Sequence, residues 1–150
     1  MLRFIALACV VAAAGITAAA DAGPTATRQR IAIVHNGSSF VITPLTAGSV
    51  QRDTGIASFC CWSDRHVMRD GQAVEINDPL MTLTGKLGTL EARNRIGWVD
   101  VSNGWSLFTG TWKVVRGTGQ YAGLAGGGRG AGIQSTGAEK ARFEGFLVTK

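Results

Sequence analysis

Three groups of residues carry side chains able to do chemistry, and the spacing of each limits what it can do. Ser63, Asp64 and His66 supply a nucleophile, a carboxylate and a base. They are too close in sequence to divide the roles of a catalytic triad without a special turn, and no nucleophile-elbow sequence surrounds them. Hydrolysis is therefore not expected. Cys60 and Cys61 are adjacent in a segment that reads as a strand, where neighbouring side chains point to opposite faces. One buried and one outward thiol are expected, with a vicinal or intermolecular disulfide as the alternative. His35 and His66 lack companions at metal-ligand spacing, so no metal is expected. The glycine run from 126 to 132 lacks the lysine and the following helix of a phosphate loop, and no cofactor is expected.

Acids and aromatics form the third group. An acid pointing into an apolar lumen has a raised pKa and can donate a proton. Strand parity sets Asp100 on one face with Ile96 and Trp98, and Glu144 on one face with Arg142, Phe146 and Val148. Both acids are catalytic candidates on that ground, against the ordinary alternative that each faces water. Trp62, Trp98, Trp105 and Trp112 either pack a core and its rim or line an apolar cavity. For a cavity, the expected ligand-binding residues are Trp98, Phe108, Trp112, Tyr121 and Phe146.

Short strands must position these residues. The stretch from Trp105 to Gly132 opens with aromatic and β-branched residues (Leu107, Phe108, Thr111, Trp112, Val114, Val115) that suit a pleated, half-buried surface. Gly117, Thr118 and Gly119 break it, and Gly123 and Gly126 complete a compact corner around Tyr121 and Leu124. A return strand almost without side chains follows, the mark of a bend or a close backbone approach. Met81, Leu83 and Leu87 alternate with Thr82, Thr84 and Lys86, which predicts a strand with one dry and one wet face. Further strands are predicted at 40–43, 56–63, 96–101 and 142–149. Asn36-Gly37 and Ser102-Asn103-Gly104 supply turns, and residues 64–79 read as a long hairpin connection or a short irregular strand. No sustained helical spacing occurs beyond the N-terminus, apart from one turn near 120–124. About eight strands with glycine-rich turns imply an all-β fold, a small antiparallel β-barrel with a β-sandwich as the alternative.

The N-terminus reads differently. Arg3, an apolar run from Phe4 to Ile16 and the motif Ala20-Asp21-Ala22 describe a signal peptide spanning 1–22; the run falls short of the ~20 apolar residues of a membrane span. A secreted or periplasmic protein with no transmembrane segment after cleavage is expected. Residues 23–37 read as a leader or edge strand and 38–150 as one barrel domain. The net charge of +5 comes from basic residues scattered along the chain. An exported protein with no basic stripe is a poor nucleic-acid partner.

The segment W-K-V-V-R-G-T-G-Q-Y-A-G-L-A-G-G-G-R-G, residues 112–130, resembles the signature of the allene oxide cyclase and dirigent β-barrels. Those proteins carry a strand, a Gly-Thr-Gly or Gly-Ser-Gly corner, an aromatic residue two positions later and a glycine-ended return strand. Gly88-Thr89-Leu90 and Gly110-Thr111-Trp112 match motifs that bacterial secreted proteins of this pattern carry upstream. The likeness is sharp over this segment and looser over 38–150. It implies a calycin-like eight-stranded barrel whose interior holds an apolar small molecule, and, since plant relatives are often trimers, a homo-oligomer. The acids that act in the plant enzymes have no assignable counterparts here. The expected function is ligand binding without catalysis. An isomerase or cyclase acting on an apolar substrate, and a filled-barrel interaction module of the cell envelope, are the alternatives.

Overall fold

The computed structural model describes residues 27–149, and the expected signal peptide lies outside them. Ten strands occur: β1 (Arg28–Asn36), β2 (Ser39–Pro44), β3 (Asp53–Cys60), β4 (Asp64–Arg69), β5 (Gln72–Asn77), β6 (Leu80–Gly85), β7 (Thr89–Asp100), β8 (Ser106–Gly117), β9 (Leu124–Ser135) and β10 (Ala138–Thr149), with one 3-10 turn at Gly119–Tyr121. Eight of them close into an antiparallel barrel in the order β1-β2-β3-β6-β7-β8-β9-β10, and β10 pairs back onto β1. The fold is a barrel, not a sandwich. β4 and β5 form a hairpin outside the ring, attached through the pairing of β5 with the upper half of β7. No helix among the described residues is long and apolar enough to cross a membrane.

Two sequence expectations are corrected. Residues 28–36, read as leader or edge strand, form a full barrel strand paired on both sides. Ile31 and Ile33 face inward, but Ala32 and Val34 on the outer face blur the wet–dry alternation that would have marked the strand. Residues 64–79 form a regular hairpin turning at Asp70-Gly71, both with positive φ, as a two-residue hairpin turn requires.

The lower lumen is filled. Ile31, Ile33, Phe40, Ile42, Met81, Leu83, Leu90, Phe143 and Leu147 are buried in one cluster with Tyr121 and Leu124. Glycines on β9 make room for its largest members. A Cβ on Gly130 would strike the Phe143 ring, and one on Gly132 would strike the Phe108 ring. The nearly bare strand is thus the floor on which these aromatic rings lie, a stacking of ring on glycine that also pins register. The predicted corner is present: β8 ends at Gly117, Gly119 and Gly123 have positive φ, and β9 departs at Leu124.

Beneath this layer the barrel is sealed by Asp53, 2% exposed. Its carboxylate accepts hydrogen bonds from the backbone N–H groups of Thr54 (2.9 Å), Lys86 (2.9 Å) and Leu87 (3.3 Å), and from the Tyr121 hydroxyl (3.0 Å). Gln29 plugs the same end, donating to the carbonyls of Thr46 and Val50 and accepting from Val50 N–H. Burial pushes the Tyr121 phenol above its ordinary value of 10.0; Gln120 opposes this and the Asp53 carboxylate adds to it.

Two outcomes follow. Gly130→Ala forces a methyl group against a buried ring and should cost about 1–3 kcal/mol in urea unfolding; an unchanged midpoint would mean that Phe143 does not rest on this glycine. For Tyr121, the only tyrosine of the chain, the unfolded chain releases the phenolic proton first. Above about pH 10 the unfolded state therefore binds fewer protons, and stability falls as pH rises. Tyr121→Phe should flatten that alkaline decline, measured by comparing unfolding free energies of the two proteins between pH 8 and pH 11.

Candidate ligand-binding cavity

The opposite end of the barrel is open. A cavity of about 800 Å³ lies there, walled by the turns after β1, β7 and β9, by the inner residues of β3 and β7, and by the β4–β5 hairpin side at Glu75 and Asn77. That volume falls within the range of small-molecule sites. Its floor is Ala57, Phe59 and Ile96; Trp98 forms a side, and Trp62, half exposed, stands at the mouth.

The hairpin reaches this position because it continues two barrel strands. β3 runs on into β4 and β5 runs into β6, but between the pairs Cys60–Leu80 and Asp64–Asn77 the first strand carries one residue more than the second. The extra residue makes a bulge at Cys61–Ser63, and bulges re-aim the side chains beside them. Cys61 takes a positive φ of 58° there. Cys60 and Cys61 are joined as a vicinal disulfide. The expected pair of opposite-facing thiols is corrected, because the chain leaves extended geometry at Cys61 and strand alternation no longer separates the two sulfurs. Arg93 on β7 clasps both sides of the junction, its Nη1 donating to the carbonyls of Cys61 and Asp78 at 3.1 Å each.

Cross-strand register assembles the walls. Asp100, Ser106, Gln134 and Glu139 are successive partners across β7, β8, β9 and β10 and form one rung at the rim. Glu75, Trp98 and Phe108 form the next rung inward. Trp98 donates from Nε1 to Asn77 Oδ1 (3.2 Å) and packs against Phe108 with ring centroids 4.4 Å apart. Ser106 Oγ donates to Asp100 Oδ1 at 2.6 Å. Below the rim, His35 is 1% exposed and lies edge-on to Phe59. Its Nδ1 approaches Glu139 Oε1 at 3.4 Å without hydrogen-bond geometry, so both ring nitrogens are unpaired, as is the side-chain amide of buried Asn94.

Of the residues singled out from sequence, Trp62, Trp98 and Asp100 line the cavity. Phe108 supports Trp98 from beneath, and Trp112 is buried in the core with its Nε1 3.4 Å from the Glu144 carbonyl. Tyr121 belongs to the sealed end. Phe146 sits under the Arg28 guanidinium, 3.5 Å from its ring centroid, and Glu144 pairs with Arg30 and Arg142, so neither lines the cavity. Asp64 and His66 lie on β4 with exposed side chains, opposite Asn77 and Glu75. Among the described residues no three His, Cys, Asp or Glu side chains converge as a metal site. Sequence reasoning passed over Glu75, Asn77, Gln134 and Glu139, which join the site through register and carry no local motif.

The fold and cavity define a closed eight-stranded antiparallel barrel with a small-molecule-sized opening at one end. Comparison with protein-family models, with curated proteins and with solved structures found no match.

The junction makes its own prediction. Arg93→Met keeps the aliphatic stem but removes both hydrogen bonds, at a cost of about 1 kcal/mol. Limited proteolysis between residues 61 and 79 should accelerate while the barrel remains resistant; an unchanged cleavage rate would show that Arg93 does not hold the hairpin.

Proposed function

We propose that this is a secreted barrel protein that binds a small, largely apolar molecule in the cavity at its open end, without catalysis. The carrying observation is the construction of that end: a cavity of about 800 Å³ with an aromatic and aliphatic part (Phe59, Trp62, Ile96, Trp98) beneath a polar rim (Asp100, Ser106, Gln134, Glu139), above a barrel that is otherwise filled. Eight-stranded barrels have room for one small ligand when side chains do not occupy the whole interior. The resemblance of residues 112–130 to the allene oxide cyclase and dirigent barrels supports the same reading, as does the signal-like N-terminus.

The cyclase alternative has less support. It needs an acid desolvated in an apolar lumen. Asp100 is exposed at the rim, and Glu144 stands among arginines away from the cavity.

Native mass spectrometry on protein purified from its native host is the direct test. A small-molecule mass that vanishes on denaturation is expected, and readdition of the released compound should change the fluorescence of Trp62 and Trp98. Bare protein, together with no fluorescence response to a panel of apolar compounds, would overturn binding and leave the filled-barrel interaction module as the reading.

A further inference from the structure

The cavity has a sign. The chain carries fifteen Lys and Arg against ten Asp and Glu, yet among the described residues the walls hold Glu75, Asp100 and Glu139 and no lysine or arginine. Among the described residues none of the three pairs with a lysine or arginine. Among the described residues the arginine ion pairs occupy Glu91 and Glu144. Glu75 has only the Asn77 amide at 3.5 Å, Asp100 has the Ser106 hydroxyl, and Glu139 meets only His35. His66 is the cross-strand neighbour of Glu75 on the hairpin.

Two further features accompany the carboxylates. Phe59, Trp62 and Trp98 line the same cavity, and aromatic faces attract cations through the ring quadrupole, tryptophan most strongly. His35, buried against Phe59 with Nδ1 3.4 Å from Glu139 Oε1, has no hydrogen-bond partner at either ring nitrogen among the described residues. Buried polar groups are ordinarily hydrogen-bonded, and this imidazole, lying behind the lining residues Phe59 and Glu139, lacks such a bond.

We propose that the ligand is an organic cation, a protonated amine carried on an apolar body, with the ammonium group drawn to the acidic wall that carries Glu75, Asp100 and Glu139 and the body against Trp98, Phe59 and Ile96. This rests on the cavity being a ligand site, as proposed above. The positive charge of the whole protein does not prevent it. Distant arginines are screened beyond a Debye length of about 8 Å at physiological salt, whereas carboxylates in the wall act at short range. An anionic ligand would meet three carboxylates with no positive partner, and like-charge juxtaposition rejects ligands as effectively as contacts select them.

The test uses three probes with one alkyl chain: decylammonium, decanol and decanoate. Each is titrated calorimetrically into the intact protein at neutral pH, below its aggregation concentration and at low and high sodium chloride. Decylammonium is expected to bind at least about tenfold more tightly than decanoate, with decanol between them and salt weakening only the cation. Glu75→Gln and Glu139→Gln should each lower decylammonium affinity about fivefold and leave decanol unchanged. If decanol or decanoate binds as well as decylammonium, the cation assignment is overturned while the ligand site stands. Equal weakening of all three probes by both variants overturns the cation assignment in the same way. Failure of all three probes to bind overturns the ligand site and the cation with it.

Discussion

A carboxylate removed from water must find its hydrogen bonds in the protein, and Asp53 finds four. Its partners come from the start of β3, the turn between β6 and β7, and the corner between β8 and β9. Three distant segments are therefore fixed around one buried charge. Removing a partner from such a set leaves desolvated groups unpaired, which costs far more than an ordinary hydrogen bond contributes. Sealing this end frees the other one. With the base closed by Asp53, Tyr121 and Gln29, the opposite rim can spread, carry a hairpin and keep an opening without exposing the core.

The molecule also balances volume between neighbouring strands. β9 gives up its side chains where β8 and β10 supply rings: Gly130 lies under Phe143 and Gly132 under Phe108. Part of this was legible in the sequence. The glycines announced close approach and the aromatic residues at 108 and 112 a dry face, whereas on the last strand the sequence pointed to Phe146 and the buried ring is Phe143. Which ring lies on which glycine was not legible, because it depends on pairing between strands far apart in the chain. That β1 read only as a leader or edge strand has a related cause: a barrel wall whose outer face carries Ala32 and Val34 lacks the alternation that marks a strand with one wet side.

The site was legible only in fragments. Trp98 and Asp100 were found by parity along their own strand, and parity also grouped Glu144 and Phe146, which lie on the outer wall. Parity says which side chains share a face but not which face is inward. Glu75, Gln134 and Glu139 were invisible for a different reason: no local pattern distinguishes a rim acid from a solvated one. They become a group only when register lays Asp100, Ser106, Gln134 and Glu139 side by side. The junction escaped strand logic because one inserted residue at Cys61 breaks the rule by which neighbouring side chains in a strand diverge.

The pairing of the first strand with the last also governs when the structure can form. β1 joins β10 from Arg28–Val148 to Asn36–Lys140, so the seam closes residues from opposite ends of the chain. During synthesis β1 emerges before the other barrel strands and finds β2, but its second neighbour is the last barrel strand to be made. Loop-closure entropy must be met before such distant contacts reward it. The ring therefore completes late, and a chain interrupted before Ala138 leaves both β1 and β9 with an open side.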